Sequence, residues 1–312
     1  MTSSSLDRRS HPAGAAFSDW RAPDGWLHRR LAWPQPAGAT PRGTLLFAGG
    51  RGDFVEKYLE AMAHWHAGGW TVAGFDWRGQ GASRGDSAGG HLDSLDLLVD
   101  DLAAIVAELA GREEGPLVVV GHSMGGHVLL RALAEQRTRP EAAVLVAPML
   151  MVNASPFPSW AAWSTAAFLT AFGWGRQPAW RTRTPPAPAG SPRQKYLTGS
   201  AERYEDELWW WEKEPGFSLG APSWGWLDAA FRSCARLTDA RLRKVDVPVL
   251  LLGTETDRLV SPAAIRRAAS LLPKARIRMF AQAAHELLRE ADPVRLAALA
   301  EIDAFLDEAA PR

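Results

Sequence analysis

A serine flanked by two glycines follows a fully apolar run, and this feature constrains the fold more than any other part of the sequence. The run is Leu117-Val118-Val119-Val120, and Gly121-His122-Ser123-Met124-Gly125 comes directly after it. Such a run predicts a buried strand, while apolar residues at helical spacing across residues 127–137 predict a helix. Ser123 is therefore expected on a sharp strand-to-helix turn, where flanking glycines avoid collisions with the strand and the helix.

A serine on a turn of this kind is typical of a nucleophile elbow, which raises the hydroxyl out of the surrounding backbone. The N-terminus of the following helix also favours negative charge that develops beside the serine. A G-x-S-x-G pattern occurs by chance in long chains, so an ordinary turn is the alternative interpretation. The flanking strand and helix favour the nucleophile, which then requires an acid and a base from elsewhere in the chain.

Strands and helices alternate along most of the chain. Apolar runs predict further strands at residues 26–33, 44–48, 71–75, 141–147, 247–253 and 276–280. Amphipathic spacing predicts helices at residues 55–66, 91–110 and 261–272, and a last helix that begins at Asp292. This alternation predicts an α/β fold with a mostly parallel central sheet and helices on both of its faces.

The alternation stops between residues 149 and 235, where helical and aromatic patches surround the proline-rich stretch 182–192. We expect residues 149–235 to form a tryptophan-rich helical lid, inserted over the C-terminal ends of the strands. Residues 21–148 and 236–312 then form the core of the fold, and residues 1–20 form a flexible N-terminal tail.

The charge balance and the cysteine content exclude several classes of protein. Lysine and arginine number 35 among 312 residues, and so do aspartate and glutamate, which leaves no basic excess to bind nucleic acid. Cys234 is the only cysteine, so no intramolecular disulfide can form. No apolar stretch reaches the roughly 20 residues that span a bilayer, and residues 1–18 lack the apolar core of a signal peptide. We expect a cytoplasmic protein, with peripheral contact at the inner face of the membrane left open.

Tryptophan is concentrated in the predicted lid, which contains nine of the 15 tryptophans of the chain. An indole combines a large apolar surface with one N–H donor, so these side chains suit the wall of a site for an amphipathic ligand or a membrane interface. Alternatively, they fill the core of a small helical subdomain. The nine are Trp160, Trp163, Trp174, Trp180, Trp209, Trp210, Trp211, Trp224 and Trp226.

Asp257 and His285 are the candidates for the acid and the base. Each follows a predicted strand, so both side chains should reach the edge of the sheet at which Ser123 is exposed. His285 is also the only histidine after the predicted lid. Glu255 is the nearest competitor for the acid, and Asp257 alternatively caps a turn or a helix. In the predicted roles, Asp257 orients His285, and His285 removes the proton of Ser123.

The tetrahedral intermediate of acyl transfer needs two N–H donors for its oxyanion. The backbone N–H of Met124, next to the nucleophile, is the first candidate. We assign the second to the backbone N–H of Arg51, because glycines on both sides let this loop approach closely. The same loop lacks the third glycine of a dinucleotide-binding fingerprint, and a Walker A motif is absent from the sequence.

Five motifs together resemble the serine-hydrolase branch of the α/β-hydrolase fold that includes monoacylglycerol lipases and lysophospholipase L2. The motifs are Gly50-Arg51 with Lys57-Tyr58, residues 76–81, residues 121–125, residues 247–253 with Asp257, and Ala284-His285-Glu286. The Gly-Arg and Lys-Tyr pairs resemble lysophospholipase L2 more closely than they resemble monoacylglycerol lipases. Monoacylglycerol lipases have a His-Gly pair where this chain has Gly49-Gly50, so the polar support of the oxyanion loop differs.

The resemblance implies a serine carboxylester hydrolase that needs neither a metal nor an organic cofactor. Its substrate would be a small lipid ester with one acyl chain, such as a lysophospholipid or a monoacylglycerol, which acylates Ser123. The candidate contacts to that substrate are Gly50, Arg78, His122, Trp209, Trp210 and Trp224. Arg51 and Arg78 are also candidates for binding a phosphate head group, and structural arginines are the alternative.

Two other functions remain open from the sequence. A peptidase of the proline iminopeptidase type would share the fold and the three catalytic residues. Its anionic clamp for a free amine would come from Glu202, Glu205, Asp206 and Glu207. A non-catalytic ligand-binding module would keep the fold without turnover, although an intact Ser-His-Asp set favours an enzyme. The sequence makes no prediction of oligomeric state, acyl-chain length or head group.

Overall fold

The computed structural model describes residues 6–85, 88–111, 115–182 and 186–311, and these residues contain one eight-stranded sheet. In chain order the strands are β1 (Ala16–Arg21), β2 (Leu27–Trp33), β3 (Thr44–Ala48), β4 (Thr71–Phe75), β5 (Leu117–His122), β6 (Ala142–Val146), β7 (Val249–Thr254) and β8 (Ala275–Phe280). Their spatial order is β1-β2-β4-β3-β5-β6-β7-β8. β2 is antiparallel to β1 and β4, and the other neighbours are parallel, which confirms the predicted fold class.

Helices connect the strands and also fill the interval between β6 and β7. The α-helices of the described residues are α1 (Leu59–Ala67), α2 (Asp96–Ala110), α3 (Met124–Ala134), α4 (Ser159–Leu169), α5 (Pro192–Leu197), α6 (Ala201–Lys213), α7 (Trp224–Ala235), α8 (Asp239–Leu242), α9 (Pro262–Leu271) and α10 (Asp292–Ala309). A π-helical turn, Thr170–Trp174, extends α4. Short 3-10 turns occupy Val55–Tyr58, Gly81–Ser83, Ala88–Gly90, Pro215–Phe217 and Leu287–Arg289.

The central strands are buried on both faces. In β5, Val119 belongs to the apolar cluster that includes α2 and α3, whereas Val118 and Val120 belong to the cluster that includes α1 and α10. Parallel strands covered on both faces have continuous apolar sequences, which is why the bounds of β3 and β4 agree with the prediction. The layered packing leaves the C-terminal ends of β5, β7 and β8 at the same edge of the sheet.

The predicted N-terminal tail is wrong in part, because β1 lies within it. Only Phe17 and Trp20 of this edge strand pack against the two apolar clusters, so no apolar run marks it in the sequence. Before the strand, the side chains of Arg8 and Arg9 donate to the carboxylate of Asp206 on α6, at 2.6 and 2.7 Å. Residues 1–5 of the predicted tail lie outside the described residues.

The chain between β6 and β7, residues 147–248, is called the inserted segment below and contains α4 to α8. It is joined to the core by ion pairs, among them Arg203 of α6 with Glu60 of α1, at 2.6 Å. Residues 183–185 of the predicted proline-rich loop lie outside the described residues. Within the described ranges, no helix combines the length and the apolar character needed to cross a membrane.

Candidate active site

Ser123 occupies the sharp turn between β5 and α3. Its backbone has φ 51° and ψ −112°, which is a strained conformation for a residue with a side chain. A Cβ at Gly125 would lie 2.2 Å from the carbonyl oxygen of Ala48, and a Cβ at Gly121 would lie 2.7 Å from the backbone nitrogen of Gly126. No other residue fits at either position, so the turn depends on both glycines.

Loops after β7 and β8 bring Asp257 and His285 to this turn. Nε2 of His285 lies 2.9 Å from Oγ of Ser123, and Nδ1 of His285 lies 2.8 Å from Oδ2 of Asp257. The other carboxylate oxygen of Asp257 accepts hydrogen bonds from the backbone N–H groups of Leu259 and Val260, at 2.8 and 3.0 Å. The three predicted side chains therefore form a continuous hydrogen-bonded chain, which can carry a proton from the serine to the imidazole.

Opposing effects set the pKa values of His285 and Asp257. Burial lowers the pKa of His285, but the charge of Asp257 and its hydrogen bond more than offset this effect, so the pKa lies above its ordinary value. Burial raises the pKa of Asp257, but His285 and two backbone N–H groups more than offset it, so this pKa lies below its ordinary value. Asp257 is therefore ionised at neutral pH and stabilises positive charge on the imidazole.

Glu255, the alternative candidate for the acid, and His127, a histidine near the serine turn, interact with residues other than Ser123, Asp257 and His285. Glu255 is 39% exposed and pairs with Arg266. Nε2 of His127 lies 2.6 Å from Oγ of Ser233, and burial lowers the pKa of His127 to about 3. In the part of the chain that the structure describes, no three His, Cys, Asp or Glu side chains are grouped as metal ligands would be.

The loop after β3, residues 49–53, lies directly against the nucleophile. A Cβ at Gly50 would come within 3.0 Å of the Cβ of Ser123. The indole N–H of Trp77 donates to the carbonyl of Gly49 at 2.7 Å, and the N–H of Gly50 donates to Oδ2 of Asp53 at 2.5 Å. This loop is therefore held beside Ser123 by buried hydrogen bonds, and we call it the oxyanion loop.

Among the described residues, neither the backbone N–H of Arg51 nor that of Met124 has an acceptor. Met124 begins α3, so its N–H has no partner within the helix. The next N–H of the oxyanion loop, that of Gly52, donates to Oε1 of Gln80 at 2.5 Å. The N–H groups of Arg51 and Met124 thus remain available to an oxyanion, and their role as its donors stays a prediction.

His122 lies behind the nucleophile and supports the oxyanion loop. Its side chain is buried, with Nδ1 2.9 Å from Oδ2 of Asp53 and 2.9 Å from the hydroxyl of Tyr58. Its ring centroid lies 5.0 Å from the ring centroid of His285. His122 therefore supports Asp53, and its predicted contact with substrate stays a prediction.

Six charged side chains join the inserted segment to the loops that carry Gly50 and His285. We call them the ion cluster, and its members are Asp53, Lys57, Arg193, Glu207, Glu286 and Arg289. Nζ of Lys57 lies 2.7 Å from Asp53, 2.6 Å from Glu286 and 3.3 Å from Glu207. Burial lowers the pKa of Lys57, but these carboxylates together raise it above its ordinary value. Three cations balance three anions, which compensates the cost of burying them.

Sequence analysis assigned no role to the ion cluster. One available signal was the spacing of Asp53 and Lys57, which are four residues apart in the sequence and form an ion pair in the structure. A second signal was Glu286, which directly follows His285. The contribution of Glu207 from the inserted segment could not be read from spacing, because it depends on how α6 packs against the core.

Arg78 is a structural residue, so the predicted contact with a head group is corrected. Its Nε and Nη2 donate to both oxygens of Asp101, at 2.9 and 2.7 Å, and its Nη1 lies 2.7 Å from Asp24. Arg78 lines a cavity of about 700 Å³, and Ser123 and His285 are not among the lining residues. The two carboxylates already bind the N–H donors of Arg78 that a phosphate would need.

The three tryptophans predicted to contact substrate make no described contact with Ser123. Trp210 is buried in a small cluster with Phe54 and Phe217, and its indole N–H donates to the carbonyl of Arg8 at 3.0 Å. Trp209 packs edge-on against Trp210, and Trp224 is a half-buried residue at the start of α7. Packing between the inserted segment and the core therefore accounts for the burial of Trp210, and no ligand is needed to explain it.

The four carboxylates predicted as an amine clamp all lie on α6. Glu202 and Asp206 pair with Arg8. Burial raises the pKa of Glu207, but Lys57 and the neighbouring arginines lower it to about 2. Glu205 is exposed. Three of the four carboxylates are thus neutralised by cations of this chain.

The chain is similar to several known proteins. The chain is 26% identical over 288 residues to a probable lysophospholipase L2 of Haemophilus influenzae, covering 90% of this chain and 88% of that protein. It is 29% identical over 280 residues to lysophospholipase L2 of Escherichia coli K12, covering 83% of this chain and 78% of that protein. The crystal structure of a soluble variant of monoglyceride lipase from Saccharomyces cerevisiae matches with a TM-score of 0.75 and 17% identity, covering 97% of this chain and 99% of that one.

A family comparison accounts for most of the chain. Residues 39–292 match the Hydrolase_4 family, which is described as serine aminopeptidase, S33. The match begins before β3 and ends at Asp292, so it includes the serine turn, both loops that carry Asp257 and His285, and the inserted segment. The chain therefore belongs to the Hydrolase_4 family of serine hydrolases and has the α/β-hydrolase fold.

Proposed function

We propose that this protein hydrolyses the carboxylic ester of lipids with a single acyl chain through an acyl-enzyme on Ser123. The observation that carries the proposal is the hydrogen-bonded chain from Ser123 through His285 to Asp257. A serine hydroxyl is a weak nucleophile at neutral pH and needs a base within this distance. The raised pKa of His285 suits the imidazole to hold the proton that the serine loses.

The proposed reaction has two halves. His285 takes the proton of Ser123 while Oγ attacks the ester carbonyl carbon, and the N–H groups of Arg51 and Met124 receive the oxyanion. Collapse of this intermediate breaks the bond to the alcohol, which leaves with the proton from His285. A water molecule then gives its proton to His285 and attacks the acyl carbon, and the fatty acid leaves as Ser123 recovers its proton.

The lipid nature of the substrate is supported by the relatives and by the surface of the inserted segment. Both bacterial relatives described above are lysophospholipases by name, and the yeast structure is that of a monoglyceride lipase. No charged residue occurs between Glu141 and Arg176, and this stretch contains α4. Such a composition favours contact with lipid over contact with a polar substrate.

A set of exposed aromatic residues on this stretch, together with Trp180 just beyond it, supports contact with a membrane surface. We call it the aromatic patch, and its members are Phe157, Trp160, Phe168, Phe172, Trp174 and Trp180. Each is more than half exposed, with Trp160 at 71% and Phe172 at 67%. Transfer of exposed indole and phenyl rings from water to the boundary between water and acyl chains is favourable. We propose that the aromatic patch holds the enzyme at the membrane from which it takes its substrate.

An aminopeptidase is the second candidate function, and the description of the family favours it. Such an enzyme needs a free carboxylate near the active site to bind the amine of its substrate. Of the four carboxylates predicted for this role, Glu202, Asp206 and Glu207 already pair with cations of this chain. We therefore place ester hydrolysis first.

A substrate panel distinguishes the two candidates. The panel contains p-nitrophenyl esters of graded length, a monoacylglycerol, a lysophospholipid and aminoacyl p-nitroanilides. We expect turnover of the lipid esters, and a loss of about 10⁴-fold or more in Ser123→Ala. A fluorophosphonate probe should label the wild type and not this variant. Turnover confined to the anilides would establish the peptidase, and an unchanged rate in Ser123→Ala would exclude the proposed nucleophile.

A further inference from the structure

The guanidinium of Arg51 lies between the core and the inserted segment without a carboxylate partner. Its Nη1 donates to the carbonyl of Gly220 at 3.1 Å, and its Nη2 donates to the carbonyl of Gly89 at 2.9 Å. Its Cζ lies 5.1 Å from the ring centroid of Trp226 on α7. No carboxylate of the described residues pairs with it, whereas Arg78 is bound by two.

The contact between Arg51 and Trp226 contains more hydrogen-bond donors than the described residues have acceptors for. Burial lowers the pKa of Arg51 to about 9, and no anion of the described residues opposes that effect. The Nε atom of Arg51 is buried and donates to nothing in the described residues, and the same holds for the indole nitrogen of Trp226. Buried donors are almost always paired in proteins, so two unpaired N–H groups in one contact indicate that an acceptor belongs there.

The position of Arg51 in the chain places this donor-rich contact close to the reacting atoms. The residue before it, Gly50, lies against Ser123, and the N–H of Arg51 itself is a candidate oxyanion donor. The side chain therefore begins at the site where the ester carbonyl would bind and extends to Gly220 and Trp226 of the inserted segment. A group bound to this guanidinium would be a short distance along the substrate from the scissile ester.

We propose that Arg51 and Trp226 form a subsite for the phosphate of a lysophospholipid. This inference rests on the proposed ester hydrolysis and names the head group that this function leaves open. A phosphate ester supplies the anionic partner that no described residue provides to Arg51. Its oxygens also accept hydrogen bonds from a guanidinium and an indole N–H. In a lysophospholipid the glycerol backbone separates the phosphate from the ester, so the substrate can occupy the subsite and the oxyanion donors together.

A second arginine provides a matched control. Arg84 donates to the carbonyls of Gly216 and Ser218 at 2.8 and 3.3 Å, in the same loop of the inserted segment that contains Gly220. Removing either arginine removes a tether of this loop. Among the described contacts, Trp226 is paired with Arg51 and not with Arg84. Only Arg51 of the two arginines follows Gly50, which lies against Ser123. An effect caused by the loop should thus appear in both variants, and an effect caused by phosphate binding should appear only in the Arg51 variant.

The experiment measures kcat and KM for the wild type, Arg51→Gln, Arg51→Lys and Arg84→Gln. The substrates are palmitoyl lysophosphatidylglycerol, palmitoyl lysophosphatidylcholine and monopalmitoylglycerol in one type of detergent micelle. We expect Arg51→Gln to lose about tenfold more kcat/KM on both phosphate esters than on monopalmitoylglycerol, mainly through KM, since the variant removes the charged hydrogen bonds to the phosphate. Arg51→Lys should recover part of this loss, and Arg84→Gln should leave the ratio of substrates unchanged.

Inhibition by glycerol phosphate gives a second readout that does not depend on the hydrolysis of a phospholipid. Glycerol phosphate should compete with monopalmitoylglycerol in the wild type and in Arg84→Gln. Its inhibition constant should be at least tenfold higher in Arg51→Gln. Equal losses on all three substrates, or the same change of ratio in Arg84→Gln, would overturn the phosphate subsite. A wild type that cleaves monopalmitoylglycerol but neither lysophospholipid would also overturn it. Failure to cleave any of the three esters would instead contradict the proposed function.

Discussion

Nδ1 of His285 lies 2.8 Å from Oδ2 of Asp257, and this contact holds the pKa of the buried imidazole above its ordinary value. His285 must be neutral to accept the proton of Ser123, so activity should fall as the pH decreases through this raised pKa. We expect the acid limb of kcat/KM against pH to lie above the ordinary histidine value of about 6.5. The profile is measured with a neutral ester, so that the substrate does not titrate.

Asp257→Asn tests the cause of this shift. The variant removes the negative charge that raises the pKa of His285 and keeps the shape of the side chain, so the acid limb should move to lower pH. The rate itself should fall by about 10⁴-fold, because the imidazolium that forms during reaction loses its counter-charge. Glu255→Gln is the control, since Glu255 pairs with Arg266 at the surface and should change neither quantity. An acid limb at the same pH in Asp257→Asn would contradict the assignment.

Gly125→Ala should abolish activity through the backbone alone. The new Cβ would lie 2.2 Å from the carbonyl oxygen of Ala48 and 2.5 Å from that of Gly49, so α3 or the oxyanion loop must move. We expect kcat to fall by about 10²-fold or more, the usual effect of a lost oxyanion donor. Gly216→Ala is the matched control, because a Cβ there meets nothing within 4 Å. Full activity in Gly125→Ala would show that this crowding does not constrain the site.

Lys57→Met should destabilise the protein strongly, because Asp53, Glu207 and Glu286 would lose their shared cation. Removing one partner from a buried ion pair costs about 3–5 kcal/mol of unfolding free energy. Arg139→Gln is the comparison, since Arg139 and Asp246 form an exposed pair and such pairs contribute about 0–1 kcal/mol. Denaturation in urea measures both values. Similar losses in the two variants would mean that Lys57 is not an essential part of the ion cluster.

The aromatic patch should bind membranes through its most exposed rings. Trp160→Ser with Phe172→Ser should weaken association with lipid vesicles by about 30-fold or more, since each ring contributes about 1 kcal/mol or more of apolar burial. The double variant should lose more activity on vesicle-borne monoacylglycerol than on a dissolved short ester. Leu296→Ser is the control, because Leu296 is an exposed apolar residue of α10 outside the patch. Unchanged sedimentation with vesicles would contradict the proposed contact.

Features that depend on neighbouring residues in the chain could be predicted from the sequence. The turn at Ser123 and the strands β3 and β4 are of this kind, because apolar runs and flanking glycines determine them locally. The start of α2 is different, since the prediction placed it at residue 91 and the helix begins at Asp96. His91 lies 2.8 Å from Oγ of Ser223 in the inserted segment, which holds residues 91–95 outside the helix.

The same distinction applies to the candidate site. Asp257 and His285 could be predicted because each follows a strand whose end must reach the serine. The role of Arg78 could not, because Asp24 and Asp101 belong to distant parts of the chain that only the fold brings to its guanidinium. The ion cluster was missed for the same reason, since four of its six charges come from the inserted segment and the loop after β8.

The electroneutrality of the ion cluster has a consequence for engineering. The inserted segment contributes Glu207 and Arg193, while the core contributes Lys57 and Arg289 with their two carboxylates. A chimera that receives this segment from a relative with different substrate preference inherits an unpaired charge in its interior if the grafted sequence carries only one of these two residues. Transplantation should therefore succeed between donors that match at positions 193 and 207, however different their aromatic surfaces are.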